Sequence, residues 1–490
     1  MEIVHGIDLF IIIAYMIAIL VLGSIFNKSI KSSNDFFIAG KSLPFWIIGL
    51  SIIGSNIGAT DYMGAAGGTF RFGIAQANYE WIGAIPAMIL AAFIFIPFYW
   101  KAGVVTVPEY MGLRYNQAVR AIEAFFIGSF MVFQLGVLLW ASGLMLQTFL
   151  GWNIYLSIII TAVIVGIYTF AGGMTAVTIT DTVQVVIMVV GGLAVAVLGL
   201  IKAGGIGPFV ATIQQQHPDH LKLLLPMDHE VYPWLGVLLG LAFVLSPSYW
   251  CAHQVIIQRT LAAKNEWHGK ASILFAAMFK LIMPVLIMLP GFFALIFLAK
   301  DAGMNDPDQA LPWVIKHLLP AGLRGLVFVT FIAAIQSSMD SILNSASALF
   351  TRDIYAQFIR KGADDSHYLK FGRILTIIFM IIGIIAAPLS QKFPGIFVAN
   401  QTFASFFAGP TFATILLGII WKRATGPGGL TGLLGGITVA MGLTFFAEMA
   451  FLFVAWWSFV ASILLNIIVS MVTRPEDREK LKNLTISTLE

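Results

Sequence analysis

Charge is what this chain has least of. Only 11% of its 490 residues are Asp, Glu, Lys or Arg, and 59% are hydrophobic. A soluble domain carries roughly 25% charged residues, so there is too little charge here to coat a water-exposed surface. Cysteine is nearly absent: Cys251 is the single one, which excludes an internal disulfide and a multi-cysteine metal centre. Enzyme signatures are missing as well. No Ser-His-Asp arrangement, HExxH, P-loop or strand-borne GxGxxG occurs, and the GAAGG and GGMTAV stretches are glycines in or beside apolar runs. The net charge of +4 comes from cations scattered between apolar runs, with no aromatic-interleaved basic patch, which argues against a nucleic-acid partner. The opening MEIVHGIDLF is acidic and lacks the basic start and cleavage site of a secretory signal.

What fills the chain instead is apolar sequence in runs of about 20 residues, the length that crosses a hydrocarbon core. The mean hydropathy is +0.90. The runs predict an all-α integral membrane protein with about thirteen transmembrane helices, over 7–27, 44–70, 78–100, 119–149, 152–171, 176–202, 233–257, 269–299, 323–350, 370–389, 395–421, 427–446 and 449–472. Lysine and arginine are biased to one set of loops. With the N-terminus outside, the inner segments hold Lys28, Lys31, Arg114, Arg120, Arg259, Lys264, Arg352, Arg373, Arg478 and others, while the outer ones hold few, such as Arg71, Lys222, Lys300 and Arg324. Cations concentrate on the cytoplasmic side, so the N-terminus is expected outside and the C-terminus inside a cell membrane.

Ionisable residues at membrane depth are costly and mark functional sites. They are few: Asp61, Glu80, Asp181, Lys280 and Asp340. Two spans also read as interrupted helices. One contains GLSIIGSNIGATDYMGAAGG, with glycines among polar residues; the other contains LSPSYWCAHQ, where Pro247 breaks the hydrogen-bond ladder. Four spans separate them, so they hold corresponding positions in two successive five-helix blocks. Paired breaks of this kind point to a transporter's central site. A further span carries Ser337, Ser338, Asp340, Ser341 and Asn344. Hydroxyls and backbone carbonyls suit a hard cation such as sodium, and serine hydrogen bonds between helices are the alternative role.

These residues resemble the sodium/solute symporter family, and within it the sodium/sugar branch. The resemblance runs from about residue 35 to 425 and rests on DFFIAGKSLP, SNIGATDYMG, YEWIGA, TVPEYMGLRYN, GGMTAVTITDTVQ, QRTLAAKN, FKLIMPVLIMLPG and SSMDSILNSASALFTRDIY, in that order. It implies a leucine-transporter-like core of two inverted five-helix repeats, at 44–202 and 233–421. An extra helix lies within 1–30, two peripheral helices within 422–472 and a cytoplasmic tail at 473–490. It further implies a sodium site formed by the carbonyls of Gly54, Ile57 and Ala334 with the hydroxyls of Ser337 and Ser338. A second sodium site would draw on Asp181, Asp340 and Ser341. The solute would meet Asp61, Glu80, Ser246, Trp250, Lys280 and Gln401, with Asn56, Tyr79 and Tyr249 as gates. Asp61 stands where the family has a glutamine or histidine, and Ser246 where an asparagine is usual.

The expected function is therefore sodium-coupled import of a small polar solute by alternating access, with co-transported sodium and the bilayer as partners. Carboxylates, an amide and aromatic faces suit a sugar or polyol. An amino acid or another small metabolite is the alternative solute, and a channel or solute sensor on the same fold is the alternative class.

Overall fold

A computed structural model of the chain describes residues 5–25, 30, 32–298, 307–392, 396–477 and 479–488. Lys28, Lys31, Lys300 and Arg478, used above for orientation, lie outside these, as do parts of the expected 1–30 and 473–490 segments. The described residues are almost wholly helical and form no named strand. Among the described residues, eleven helices are long and apolar enough to cross a membrane.

The helices follow the apolar runs, with two informative departures. Helix α1 spans Gly6–Ile25. The next run is split into α2, Phe45–Asn56, and α3, Ala59–Phe72, and α4 covers 79–102 in several short helical turns. After α5, Gln117–Leu150, the expected 152–171 and 176–202 spans join as α6, Ile154–Lys202, a helix of 49 residues. A straight helix of that length would measure about 74 Å, more than twice a hydrocarbon core of about 30 Å. The chain resolves this at Gly173, where φ is +52° and ψ −152°. A side chain there would meet the Phe36 carbonyl oxygen at 2.6 Å, so the position takes glycine both for its left-handed backbone and for the close approach. Each arm is then short enough to cross.

The second half continues with α7, Trp234–Ala252, α8, Gln254–Leu261, α9, Glu266–Phe297, α10, Leu323–Ile359, and α11, Asp365–Gln391. Then come α12, Ile396–Ile420, α13, Gly426–Phe445, and α14, Phe451–Val472. Helix α10 sits at the centre against α5 and α6. Its apolar window is 94% buried, whereas that of α1 is 28% buried and those of α13 and α14 are 39% buried. The outer faces carry Phe10, Phe93, Met278, Ile385 and Phe445 exposed, as helices facing lipid must. The serine-rich helix is thus the one sealed from its surroundings.

The first helix break falls where expected, at Ile57 and Gly58 between α2 and α3. The second does not. Sequence placed it at 246–250 because of Pro247, but Pro247 lies at the start of an intact helical turn. The wide turns of 237–245 absorb the missing proline N–H, as i→i+5 turns can. The ladder is broken instead at His253, whose φ of −72° and ψ of 126° are extended.

Candidate functional site

The break between α2 and α3 frees two carbonyls. In an unbroken helix the Gly58 N–H would bond the Gly54 carbonyl, four residues back; here it donates to Asp61 Oδ2 at 3.1 Å. Likewise Asp61 N–H bonds the Gly58 carbonyl rather than that of Ile57. Gly54 and Ile57 therefore present carbonyl oxygens without their helical partners, and Asp61 caps the positive end of α3. Gly54 also touches α10: a side chain there would lie 2.9 Å from Ser337 Oγ. Ser338 Oγ donates to the Ser55 carbonyl at 3.1 Å, and Ala334 lies buried one turn before. Of the five expected sodium ligands, Gly54, Ser337 and Ser338 thus meet at one α2–α10 contact. Their oxygens, all neutral, match a cation that wants oxygen donors.

One step deeper, Asp181 of α6 is fully buried. Its Oδ1 accepts from Ser337 Oγ at 2.6 Å and its Oδ2 from Ser51 Oγ at 2.5 Å. Arg259 Nη2 lies 3.3 Å from Oδ2, with both side chains at 0% exposure. The same guanidinium contacts Ser341 Oγ and bonds Ser51 Oγ through Nε at 2.8 Å. Sequence counted Arg259 as an inner loop cation. The structure corrects this: the last turn of α8 carries it into the cluster expected to hold a second sodium. Asp340 borders the same cluster: one oxygen accepts from Ser341 Oγ at 3.2 Å and the other from Tyr168 OH at 2.8 Å. Arg114 and Arg120, also read as loop cations, are buried too; Arg114 binds the carbonyls of Gly418, Trp421 and Ala424, and Arg120 pairs with Asp353 at 2.6 Å.

Between the two breaks lies a cavity of about 160 Å³. A water occupies about 10–15 Å³ by the same measure, so the space suits a molecule of on the order of ten heavy atoms. All the expected solute and gate residues line it: Asn56, Asp61, Tyr79, Glu80, Ser246, Tyr249, Trp250, Lys280 and Gln401. Ser55 and Ser338 line it as well, so the candidate ion site borders it directly. Lys280 Nζ pairs with Glu80 Oε2 at 2.5 Å, hydrogen-bonds Asn56 Oδ1 and lies 5.5 Å above the Trp250 ring. Tyr79 packs edge-on against Phe397 at 5.1 Å and against Tyr232 at 6.1 Å, an aromatic wall. Tyr249 stacks on His253 at 5.0 Å.

Sequence reasoning missed Arg259, Ser51, Ser55, Gln134, His253 and Asn400, the last four of which line the cavity. Ser51 and Ser55 had a signal, since they stand four apart and face one way on α2. Gln134 and Asn400 had one too, as polar residues within apolar runs.

Comparisons agree with this architecture. The sodium:solute symporter family model matches residues 36–436. The chain is 35% identical to a sodium/glucose cotransporter of Vibrio parahaemolyticus, over 85% of this chain and 80% of the relative. It is 32% identical to a sodium/myo-inositol cotransporter of Bos taurus, over 98% of this chain and 75% of the relative. In fold it is similar to a Na⁺-coupled sialic acid symporter solved in a substrate-bound outward-open state, with a TM-score of 0.88 at 22% identity, covering 97% of this chain and 99% of that one. The leucine-transporter-like fold expected from the motifs is the fold observed. With its matched length, its helix breaks and its buried serine helix, the chain belongs to the sodium:solute symporter family, multi-pass membrane transporters that move sodium with a solute and are not enzymes.

Proposed function

We propose that this symporter imports a neutral polyhydroxylated solute, a hexose or an inositol, together with one sodium ion. The observation that carries the solute class is the charge state of the cavity. Lys280 is the one Lys or Arg among its described lining residues, and Glu80 neutralises it at 2.5 Å. Asp61 adds a carboxylate to the same wall. An anionic or zwitterionic solute needs an uncommitted cation for its carboxylate, preferably a two-pronged one. A polyol needs acceptors, donors and an aromatic face, which Glu80, Asp61, Gln401 and Trp250 supply. The glucose and myo-inositol named for two relatives fall in this class.

Sodium would sit between the Gly54, Ile57 and Ala334 carbonyls and the Ser337 and Ser338 hydroxyls. Binding there joins α2 to α10 and holds the break beside the solute. The cluster of Asp181 and Ser341 already contains the Arg259 guanidinium, a tethered cation, which favours one ion per cycle. The two blocks 44–202 and 233–421 would rock as inverted repeats around the cavity, with the N-terminus outside. One charge falling through 100 mV supplies about 2.3 kcal/mol, and a tenfold sodium gradient about 1.4 kcal/mol. Together these support roughly 500-fold accumulation.

The test is purified protein in liposomes under an imposed sodium gradient, offered labelled glucose, galactose, myo-inositol, alanine and a sugar acid. Sodium-driven accumulation of a neutral polyol, with one charge moved per solute, is expected. Uptake of alanine or the sugar acid alone overturns the solute class. Equal uptake under a proton gradient without sodium overturns the ion.

A further inference from the structure

We propose that the segment 476–488, which follows α14, is a strap that restrains opening on its own face of the transporter by holding a short helix against the second helix break. That face is the cytoplasmic one under the orientation proposed above, on which the sodium part of the test rests. The short helix, Val107–Arg114, lies between α4 and α5, and it reaches residues on both sides of the break. Its Val107 N–H donates to Gln254 Oε1 at 3.0 Å, just after His253. Its Tyr110 ring packs on Tyr99 at 5.8 Å, and Tyr99 OH donates to the Cys251 carbonyl at 3.1 Å, just before His253. In an unbroken helix that carbonyl would take the Val255 N–H; the extended backbone at His253 prevents it.

The strap grips the same helix. Tyr110 OH donates to the Leu484 carbonyl at 3.2 Å. Lys480 Nζ donates to the Tyr115 carbonyl at 2.6 Å, which sets a cation at the C-terminus of the short helix, where the helix dipole favours one. Lys480 also pairs with Glu476 at 2.6 Å, and Glu476 Oε1 accepts from the Gly426 N–H at the start of α13 at 3.0 Å. Leu481, Leu484 and Thr485 are buried. Tight turns close the segment on itself, Asn483 N–H onto the Thr488 carbonyl and Thr488 N–H onto that of Thr485. The strap therefore runs from the peripheral helix α13 to the helix that touches both sides of the break. A rocking motion that changes the angle at His253 must carry the short helix with it or break its contacts. Held by a few hydrogen bonds and two leucines, the strap is a low-stability unit that can release, and its strength biases the balance between the two faces.

The experiment compares the intact protein with a deletion of 476–488 and with Tyr110→Phe, which keeps the ring on Tyr99 and removes only the hydroxyl. Hydrogen–deuterium exchange is followed in lipid nanodiscs, and sodium alone is titrated against the thermal unfolding midpoint. Both variants should exchange faster at 250–261, beyond the residues the strap touches, with 154–172 unchanged. Sodium joining α2 to α10 favours the outward-open state, so its half-saturation should rise, about tenfold for the deletion and a few-fold for Tyr110→Phe. Where the deletion fails to fold, Tyr110→Phe decides alone. Unchanged exchange, faster exchange confined to 106–116 and 421–428, or faster exchange that extends to 154–172 overturns the strap. So does an unchanged sodium half-saturation. Faster exchange at 250–261 with a lowered sodium half-saturation keeps the strap and overturns the orientation. A wild type that sodium does not stabilise overturns the ion reading, and exchange then decides the strap.

Discussion

Two of the buried ion pairs that cross between helices in this transporter are built differently. Glu80 and Lys280 meet at 2.5 Å with side-chain exposures of 10% and 1%, at the edge of the cavity. Asp181 and Arg259 meet at 3.3 Å with both at 0%, ringed by Ser51, Ser337 and Ser341. The first pair can be hydrated or touched by solute; the second cannot. A sealed pair needs extra hydrogen bonds to offset its desolvation, and the serines supply them. The open pair needs none beyond Asn56. The contrast separates a wall that receives cargo from a clasp that holds helices α2, α6, α8 and α10 together.

Breaking the sealed pair should have the largest effect. Arg259→Met leaves Asp181 buried and unpaired, costing about 3–5 kcal/mol, seen as a lowered thermal unfolding midpoint of the solubilised protein. Adding Asp181→Asn should recover much of the loss; a double variant as unstable as the single one would sink the clasp. Next comes Lys280→Gln. Water reaches this pair, so stability should fall less, while the half-saturation for the carried polyol rises about 10–100-fold in sodium-driven uptake. If this variant is instead less stable than Arg259→Met, the open and sealed roles are reversed. Ser338→Ala removes one of the proposed neutral sodium ligands and should raise the sodium half-saturation about tenfold; uptake with unaltered sodium dependence would remove the ion from the α2–α10 contact. Trp250→Leu should have the smallest effect, a few-fold weaker solute uptake, since the cation–π contact with Lys280 contributes about 0.5–1 kcal/mol.

The two pairs also show what sequence could and could not tell. Glu80 and Lys280 lie inside apolar runs, where any charge is conspicuous; both were read as site candidates, and the structure places both on the cavity wall. Arg259 lies at the end of such a run, where a charge reads as a loop residue. Its partner Asp181 is 78 positions away in sequence, and only the folding of α6 against α8 joins them. The helix breaks divide in the same way. Around Ile57, glycines, serines and an aspartate announce a break locally. At His253 no residue does, and Pro247 nearby gives a stronger but misleading signal because neighbouring wide turns absorb it. Local chemistry was legible; contacts made by topology were not.

The cap on Gly58 has a thermodynamic consequence. Asp61 faces the cavity and, at the same time, keeps the Gly58 N–H from closing onto the Gly54 carbonyl. A solute hydroxyl that donates to this carboxylate steadies it, and so keeps the Gly54 oxygen available to an ion. Linkage then requires reciprocity. Whatever factor the solute adds to sodium affinity, sodium must add to the affinity for solute, and a single carboxylate would carry both messages.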